Sequence, residues 1–255
     1  INIHWEGGWL NHPVDANKEA LDERLEAMWK QIALRFRDYD DRLLFAGTNE
    51  VNNDDANGAQ PTEENYRVQN GFNQVFVNTV RATGGRNHYR HLIVQAYNTD
   101  VAKAVAHFTM PLDIVQNRIF LECHYYDPYD FTIMPNDENF KSQWGAAFAG
   151  GDVSATGQEG DIEATLSSLN VFINNNVPVI IGEYGPTLRD QLTGEALENH
   201  LKSRNDYIEY VVKTCVKNKL VPLYWDAGYT EKLFDRTTGQ PHNAASIAAI
   251  MKGLN

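Results

Sequence analysis

Two hydrophobic patterns alternate along the whole chain. In one pattern apolar residues recur at spacings of three and four, which predicts amphipathic helices, and in the other short apolar runs predict buried strands. Strands are predicted over 1–5, 42–50, 91–98, 118–126, 177–185 and 220–228. Helices are predicted over 15–36, 62–85, 100–108, 162–175, 198–217 and 243–254. The clearest apolar face belongs to the first helix, with Leu21, Leu25, Met28, Ile32 and Phe36 in line.

Strands that alternate with helices predict parallel strands joined by right-handed crossovers. An open doubly wound sheet and a closed (β/α)8 barrel both fit this order. No glycine-rich phosphate loop follows the first strand, which disfavours the nucleotide-binding open sheet. Polar and aromatic residues instead collect at the carboxyl ends of the strands, where a barrel builds its active site. We therefore expect an α/β protein with a TIM-barrel fold, in a single domain over 1–255.

The strand count differs from that of a complete barrel. Six strands are predicted, whereas a (β/α)8 barrel has eight. The simplest account is that the first two strand–helix units are absent from this chain, so that the domain is incomplete at its N-terminus. A separate polypeptide segment is one source that would supply the two strands.

Composition limits the classes of ligand. The 255 residues carry a net charge of −12 without a cluster of lysine and arginine, which argues against nucleic acid or an anionic membrane as partner. No apolar run is long enough to span a membrane. Cys123 and Cys215 form no Cys-x-x-Cys pair, so a zinc site is disfavoured and two buried free thiols are expected, with a disulfide as the alternative. No signal peptide is visible, which leaves the compartment open.

Two glutamates stand at the carboxyl ends of predicted strands. Glu50 ends the run LLFAGTNE, and Glu183 lies in IIGEYG, three strands further along the chain. Two carboxyl groups across the mouth of a barrel are the equipment of a glycosidase, in which one is protonated and acts as acid while the other is ionised and acts as nucleophile. The alternative is that each glutamate caps a loop or pairs with an arginine.

Five motifs at strand ends carry a family resemblance. In chain order they are NIHWEGGW, LLFAGTNE, HYYDPYDFT, IGEYG and LYWDAG. The set resembles glycoside hydrolase family 5, and most closely its endo-β-1,4-glucanases (cellulases), from the third barrel strand to the last helix. The resemblance implies a retaining double displacement on a β-linked polysaccharide or oligosaccharide, with no metal and no cofactor. Val51 stands where the family often has proline, and the arginine of the family's second strand is not in this chain.

The same resemblance implies a role for each strand-end residue. Glu50 would be the acid/base and Glu183 the nucleophile. Sugar hydroxyls would be bound by His4 and, at the 2-position, by Asn49. The cleavage subsite would be lined by His124 and Tyr126, with the Tyr126 hydroxyl directed at Glu183, and Trp225 would stack beneath the sugar ring. Further stacking candidates are Trp5, Trp9, Tyr129 and Trp144, the last of these expected in a cleft wall.

Plainer interpretations exist for these positions. His4 and His124 could be hydrogen-bonded core histidines, Asn49 a turn residue and Trp225 a core side chain. Glu122 should point inward with His124, because side chains alternate along a strand, and it needs a buried polar partner. The segment 53–64 approximates a calcium loop, but it begins with asparagine and follows a strand.

Alternative functions remain open at this stage. The same mechanism could act on mannan, xyloglucan or mixed-linkage glucan, since subsite residues decide that choice. A non-catalytic carbohydrate-binding barrel is the second class. An aldolase would need a lysine at a strand end, and a metal hydrolase would need clustered ligands; neither pattern is present in the sequence. Secretion is expected, because a polymeric glucan cannot enter a cell.

Overall fold

Helices and strands alternate in the computed structural model, which describes residues 1–53, 60–136, 139–228 and 232–255. In chain order the elements are α1 (Asp15–Arg35), β1 (Phe45–Ala46), α2 (Glu63–Ala82), β2 (Leu92–Gln95), α3 (Val101–His107), β3 (Ile119–Tyr125), α4 (Tyr129–Thr132), α5 (Glu159–Ser168), α6 (Asn170–Ile173), β4 (Val179–Tyr184), α7 (Gly194–Lys217), β5 (Val221–Tyr224) and α8 (Ala244–Gly253). The chain divides into two compact units, one of Ile1–Cys123 with Val171–Val179 and the other of His124–Asn170 with Ile180–Asn255.

The first unit is built on parallel strands in chain order. β1 pairs with β2, with Phe45 opposite Leu92, and β2 pairs with β3, with Leu92 opposite Ile119. The Leu121 N–H donates to the carbonyl of Pro178, just before β4, at 3.0 Å. The chain passes from β1 to β2 through α2 and from β2 to β3 through α3, which is what the alternating hydrophobic pattern predicts.

The prediction of a strand over 1–5 is wrong. This segment makes only an isolated parallel bridge between Asn2 and Ala46, so the described residues hold five strands where six are predicted. The reason is a turn that begins directly after His4 and Trp5. Glu6 and Gly7 have φ of 38° and 83°, in the left-handed region, which ends any pairing of the segment with β1.

Trp29 of α1 fixes the end of β1. Its buried ring packs against Phe45 and Phe76, with centroid distances of 5.4 and 4.6 Å, and its Nε1 donates to the carbonyl of Gly47 at 2.8 Å. A Cβ at Gly47 would lie 2.6 Å from the Phe76 ring, so this close approach requires glycine. The predicted apolar face of α1 is confirmed: Leu25 is buried and the rest of that face packs against the same core.

Arg90 is buried among backbone carbonyl groups between α1 and β1. Its guanidinium donates to the carbonyls of Phe36, Tyr39, Asp40 and Leu43 at 2.6–3.0 Å and to Asn87 Oδ1 at 2.7 Å. The same group lies 4.6 Å from the centre of the Phe45 ring. Burial lowers the pKa of Arg90, and the nearby Asp40 carboxylate partly opposes that shift. One side chain thereby donates to four carbonyl groups in the turns after α1, two of which, those of Phe36 and Asp40, also accept a backbone N–H.

The second unit contains β4 and β5, which are parallel, with Ile180 opposite Val221. Helices α7 and α8 are in close contact at Gly253. A Cβ at this position would lie 2.7 Å from the Glu209 carbonyl oxygen and from Val212, so the contact requires glycine. The single helix predicted over 162–175 is two helices, α5 and α6, separated by Leu169.

Trp144 is a core residue and not part of a cleft wall, contrary to the prediction. It is 2% exposed, its Nε1 donates to the Gly157 carbonyl at 2.6 Å, and its ring meets Tyr207 edge-on with centroids 5.2 Å apart. The loop position misled the prediction, because this loop folds back over α7: the Trp144 N–H and carbonyl both bond the Ser203 hydroxyl.

Both cysteines are free and buried, as predicted. Burial raises the pKa of the Cys215 thiol to about 12 and raises that of Cys123 as well. Thiols in such surroundings are protonated and unreactive at neutral pH. Among the described helices, none has the length and apolar character needed to cross a membrane.

Candidate active site

Glu50 lies four residues beyond β1 in a strained backbone conformation. Its φ is 47°, in the left-handed region, which costs a residue with a side chain about 1–2 kcal/mol. Bonds to the first unit stabilise it on both sides. The Asn52 Nδ2 donates to the Glu50 carbonyl at 3.0 Å, and the Asn98 N–H donates to the Val51 carbonyl at 2.9 Å. Strain of this kind persists only where the surroundings impose it, as they do here.

Gln95, at the end of β2, reaches the Glu50 backbone. Its Oε1 accepts the Glu50 N–H at 3.1 Å, and its Nε2 donates to Glu122 Oε2 at 2.9 Å. This contact confirms that Glu122 has a polar partner, as its inward position on β3 requires. Asn49, immediately before Glu50, is buried as well. These hydrogen bonds therefore fix the backbone position of Glu50 beyond the end of β1.

His4 and Trp5 lie together at the turn that follows the bridge to β1. The Asn2 Nδ2 lies 3.2 Å from the His4 Nδ1, and the His4 N–H donates to Glu6 Oε1 at 3.3 Å. Trp5 is 62% exposed, which leaves most of its ring surface open to a ligand. His4 is partly buried, which disfavours its interpretation as a fully buried core histidine.

Glu183 lies near the carboxyl end of β4 in the second unit. It is 8% exposed, and the Tyr126 hydroxyl donates to its Oε2 at 3.0 Å, as predicted. The Nδ1 of His124, at the end of β3, lies 3.6 Å from the same oxygen. Three predicted site residues are therefore brought together around one carboxylate. The bond from the Tyr126 hydroxyl favours one orientation of this carboxylate, which is what a nucleophile needs.

Hydrogen bonds from α4 and α7 fix the backbone around Tyr126. The Thr132 hydroxyl, on α4, donates to the Tyr126 carbonyl and also to the Pro128 carbonyl, the latter at 3.0 Å. The Tyr207 hydroxyl, on α7, donates to the Asp127 carbonyl at 2.9 Å. The loop after β3 is thus bonded to two helices of the same unit, which fixes the backbone from which the Tyr126 side chain extends.

Trp225 follows β5 directly and is 41% exposed. This agrees with the predicted half-exposed ring and contradicts its interpretation as core packing. Its N–H donates to the Tyr184 carbonyl at 2.9 Å, which continues the β4–β5 ladder by one residue. Before it, the buried Tyr184 ring meets the Tyr224 ring edge-on, and the Tyr224 hydroxyl accepts a bond from Arg204 at 2.6 Å.

Asp226 shapes the turn after Trp225. Its Oδ1 accepts the Gly228 N–H at 2.9 Å and its Oδ2 accepts the Leu233 N–H at 2.8 Å. Burial alone would raise the pKa of Asp226, but the backbone N–H groups of Leu233 and Gly228, together with Arg236, hold it below its usual value. The carboxylate is therefore ionised at neutral pH and binds the backbone N–H groups of Gly228 and Leu233 next to the exposed tryptophan.

The remaining stacking candidates have different surroundings. Tyr129 is exposed, whereas Trp9 is partly buried and lies beneath the Arg24 guanidinium at 4.4 Å. Of the calcium-like segment, residues 54–59 lie outside the described residues, so the ligand positions Asp55, Asn57 and Gly58 cannot be placed. At its far end, Glu64 Oε1 accepts the Asp15 N–H at 2.8 Å.

Sequence reasoning missed the supporting residues Gln95, Arg204 and Thr132. A signal for Gln95 was present, because it ends the run HLIVQ as Asn49 and Glu50 end theirs. Arg204 had none: it lies on α7, and its bonds to the Pro186 carbonyl, Ser246 and Tyr224 join residues distant in sequence.

The chain is similar to known proteins in sequence and in fold. Residues 1–231 match the model of the cellulase family, glycosyl hydrolase family 5. Endoglucanase A of Paenibacillus barcinonensis is 34% identical over the whole chain, which spans 67% of that relative's length. Endoglucanase B of Clostridium cellulovorans is 34% identical over 94% of the chain, which spans half of that protein.

Solved structures of family 5 enzymes are also similar to this chain. A family 5 xyloglucanase from Paenibacillus pabuli matches the whole chain with a TM-score of 0.91 and 34% identity, over 75% of its own length. A GH5-4 broad specificity endoglucanase from Bacteroides salanitronis gives a TM-score of 0.86 and 34% identity over 70% of its length. These likenesses imply a TIM-barrel fold. The chain belongs to glycosyl hydrolase family 5, the cellulase family.

Proposed function

We propose that this protein hydrolyses β-1,4-glucan chains at internal linkages by a retaining double displacement. Membership of the cellulase family and the endoglucanase names of its relatives support hydrolysis of a β-glucan. The observation that carries the residue assignment is the environment of Glu183: a carboxylate at a strand end, mostly buried, with the Tyr126 hydroxyl and the His124 imidazole beside it.

In the proposed mechanism Glu183 is the nucleophile. Its ionised carboxylate attacks the anomeric carbon, the glycosidic bond breaks, and a covalent glycosyl-enzyme forms with inverted configuration. The bond from the Tyr126 hydroxyl orients the attacking oxygen of Glu183. Because the donor is a single neutral group, it stabilises the ionised carboxylate only modestly. His124, 3.6 Å away, is placed to bind sugar hydroxyls close to the attacked carbon.

Glu50 is the proposed acid/base. In the first step its carboxyl group gives a proton to the leaving oxygen, and in the second step its carboxylate takes a proton from the water that attacks the anomeric carbon. The second attack releases Glu183 and inverts the carbon again, so the configuration is retained overall. Asn49 is proposed to bind the 2-hydroxyl, His4 to bind other sugar hydroxyls, and Trp225 and Trp5 to stack on sugar rings through their exposed faces.

No cofactor or metal takes part in this proposed mechanism. The partner is a neutral β-linked polysaccharide or oligosaccharide, which agrees with a chain that carries net charge −12 and no basic cluster. We propose that one glycosidase catalytic domain extends over the chain and that the protein acts outside the cell, where polymeric glucan is found.

Xyloglucan is the second candidate substrate. The structural relative from Paenibacillus pabuli is a xyloglucanase, and the one from Bacteroides salanitronis has broad specificity. A backbone of β-1,4-linked glucose is common to cellulose-type chains and xyloglucan, so the same pair of glutamates would serve both.

The test is hydrolysis of soluble β-glycans with analysis of the products. Carboxymethyl cellulose, xyloglucan, mixed-linkage glucan and mannan are each incubated with the protein. We expect rapid loss of viscosity on at least one β-glucan and newly formed reducing ends in the β-configuration, measured by NMR before mutarotation. Products of α-configuration would contradict a retaining mechanism, and binding without any release of reducing sugar would indicate a carbohydrate-binding barrel.

A further inference from the structure

Gln95 occupies an unusual position for an amide side chain. It is fully buried at the carboxyl end of β2, and both ends of its amide have partners of fixed type. The Glu50 N–H can only donate, so it takes the amide oxygen, at 3.1 Å. Glu122 Oε2 accepts the amide nitrogen's proton at 2.9 Å. These two partners determine which way the amide points, because a flipped amide would face a donor with a donor and an acceptor with an acceptor.

The backbone of Gln95 is clamped as firmly as its side chain. Two buried amides of α2 reach it: Asn73 Nδ2 donates to the Gln95 carbonyl at 2.8 Å, and Gln69 Nε2 donates to the same oxygen at 3.2 Å. The Gln95 N–H returns a bond to Asn73 Oδ1 at 3.4 Å. The Gln95 backbone is therefore fixed by α2, and its side-chain oxygen is held in a defined position within the first unit.

That oxygen bonds a residue whose conformation needs support. With φ of 47°, Glu50 lies in a region that side-chain-bearing residues avoid, and its φ and ψ determine the direction in which its carboxyl group projects. The bond from its N–H to Gln95 acts on that same peptide group. If the bond is lost, the peptide can relax, and the carboxyl group moves with it.

We infer that Gln95 is a positioning residue for the proposed acid/base: its buried amide holds the Glu50 peptide in the left-handed conformation that aims the carboxyl group at the leaving oxygen. The inference rests on the proposed function of Glu50. The Gln95 amide bonds the Glu50 N–H, the Glu122 carboxylate and, at 3.5 Å, the Thr48 hydroxyl, so it acts through Glu50 and not on the sugar.

A positioning role has a kinetic signature that a merely structural role lacks. A misplaced acid slows cleavage of an ordinary glycosidic bond, because the leaving alkoxide needs a proton. It does not slow departure of 2,4-dinitrophenolate, which leaves as a stable anion without protonation. A misplaced base slows the second step for every substrate. Azide bypasses that step, since the anion attacks the anomeric carbon of the glycosyl-enzyme, releases the carboxylate and needs no proton removed.

The experiment compares Gln95→Met with the unchanged protein on a soluble β-glucan and on 2,4-dinitrophenyl β-cellobioside. Methionine keeps the length of the side chain but neither donates nor accepts strongly. We expect kcat/KM on the glucan to fall about 10- to 100-fold, as for a misplacement on the order of 1 Å. Dinitrophenolate release in the first turnover should fall less than about threefold, followed by slow turnover that azide accelerates.

Matched variants separate the outcomes. Glu50→Ala should show the same signature more strongly; if it shows none, the proposed function of Glu50 and the inference both fail. Asn65→Ala removes another buried amide of the first unit, which bonds the Pro13 carbonyl, and should lower stability without changing the ratio of the two activities. If Gln95→Met lowers both activities equally and azide has no effect, while Glu50→Ala behaves as expected, the positioning role is wrong.

Two further variants keep the test decisive if Gln95→Met does not fold. Gln95→Asn shortens the side chain by one methylene, so its amide no longer reaches the Glu50 N–H, and the same signature is expected. Gln95→Glu keeps an oxygen acceptor for that N–H and should show a weaker signature than Gln95→Asn. Equal signatures in these two variants would contradict the assigned hydrogen bond.

Discussion

Replacement of Glu183 by glutamine is expected to lower the rate of β-glucan hydrolysis by about 10⁴-fold or more, as for other enzymes that lose a nucleophile. The amide is nearly the same size as the carboxylate, and its oxygen can still accept the bond from the Tyr126 hydroxyl. It cannot, however, attack an anomeric carbon as an anion. The loss should appear in kcat, measured as reducing-sugar release, while binding of an oligosaccharide persists.

The matched control is Glu159→Gln in the same unit. Glu159 begins α5, and its Oε1 accepts the Ala146 N–H at 2.8 Å, a bond that glutamine can also accept. Both variants lose one negative charge, so a general effect of net charge would appear in both. We expect only Glu183→Gln to lose activity, with an unchanged circular dichroism spectrum. Activity within about threefold of the unchanged protein would refute the nucleophile assignment.

Replacement of Arg90 by methionine is expected to destabilise the fold by about 3–5 kcal/mol, because five hydrogen bonds are lost and each contributes about 1 kcal/mol. Methionine matches much of the volume of the arginine stem. It removes the guanidinium donor from the carbonyls of Phe36, Tyr39, Asp40 and Leu43, at a position where the arginine side chain itself is buried. For a chain of this size we expect the midpoint of thermal unfolding to fall by about 10 °C.

Arg42 provides the control for the Arg90 prediction. It belongs to the same turn and pairs with Asp40 at 2.5 Å, but its side chain is almost fully exposed. Because water screens an exposed ion pair, Arg42→Met should leave the midpoint unchanged within error. Arg90→Lys should destabilise as well, since an ammonium has three donors in a compact group and cannot reach the separate carbonyls that the planar guanidinium bridges. An unaltered midpoint in Arg90→Met would show that these bonds contribute little to stability.

The alternation of helices and strands could be predicted because burial imposes it on the local sequence. The apolar face of α1 follows from the 3.6-residue period, and the runs that form β2 to β4 are apolar because most of their side chains are buried in a covered parallel sheet. The apolar run of β5 does not have this explanation, because Val221 and Leu223 are exposed. The first segment defeats this reasoning. Its composition is that of a strand, but three residues at Glu6–Gly8 with positive φ turn the chain away, and apolar periodicity carries no signal for such a turn.

The candidate site could be predicted in part for a different reason. In parallel strands the reactive side chains gather at carboxyl ends, so strand boundaries alone nominated Glu50, His124, Glu183 and Trp225. The contact between Tyr126 and Glu183 came from the family resemblance and is present. The sequence does not predict the partners of the buried polar residues. Gln95 and Arg90 are buried polar residues whose partners are brought to them only by tertiary folding.

The central claim is that Glu183 attacks the sugar and becomes covalently glycosylated. A 2-deoxy-2-fluoro-β-cellobiosyl fluoride tests it directly, because the 2-fluorine slows both steps by destabilising the oxocarbenium-like transition state, while the fluoride leaving group lets the first step proceed. Mass spectrometry of the digested protein should find one added glycosyl group, on the peptide that contains Glu183, and none in Glu183→Gln. A label on any other residue, or rapid hydrolysis of β-glucan by a protein that is never labelled, would contradict the mechanism.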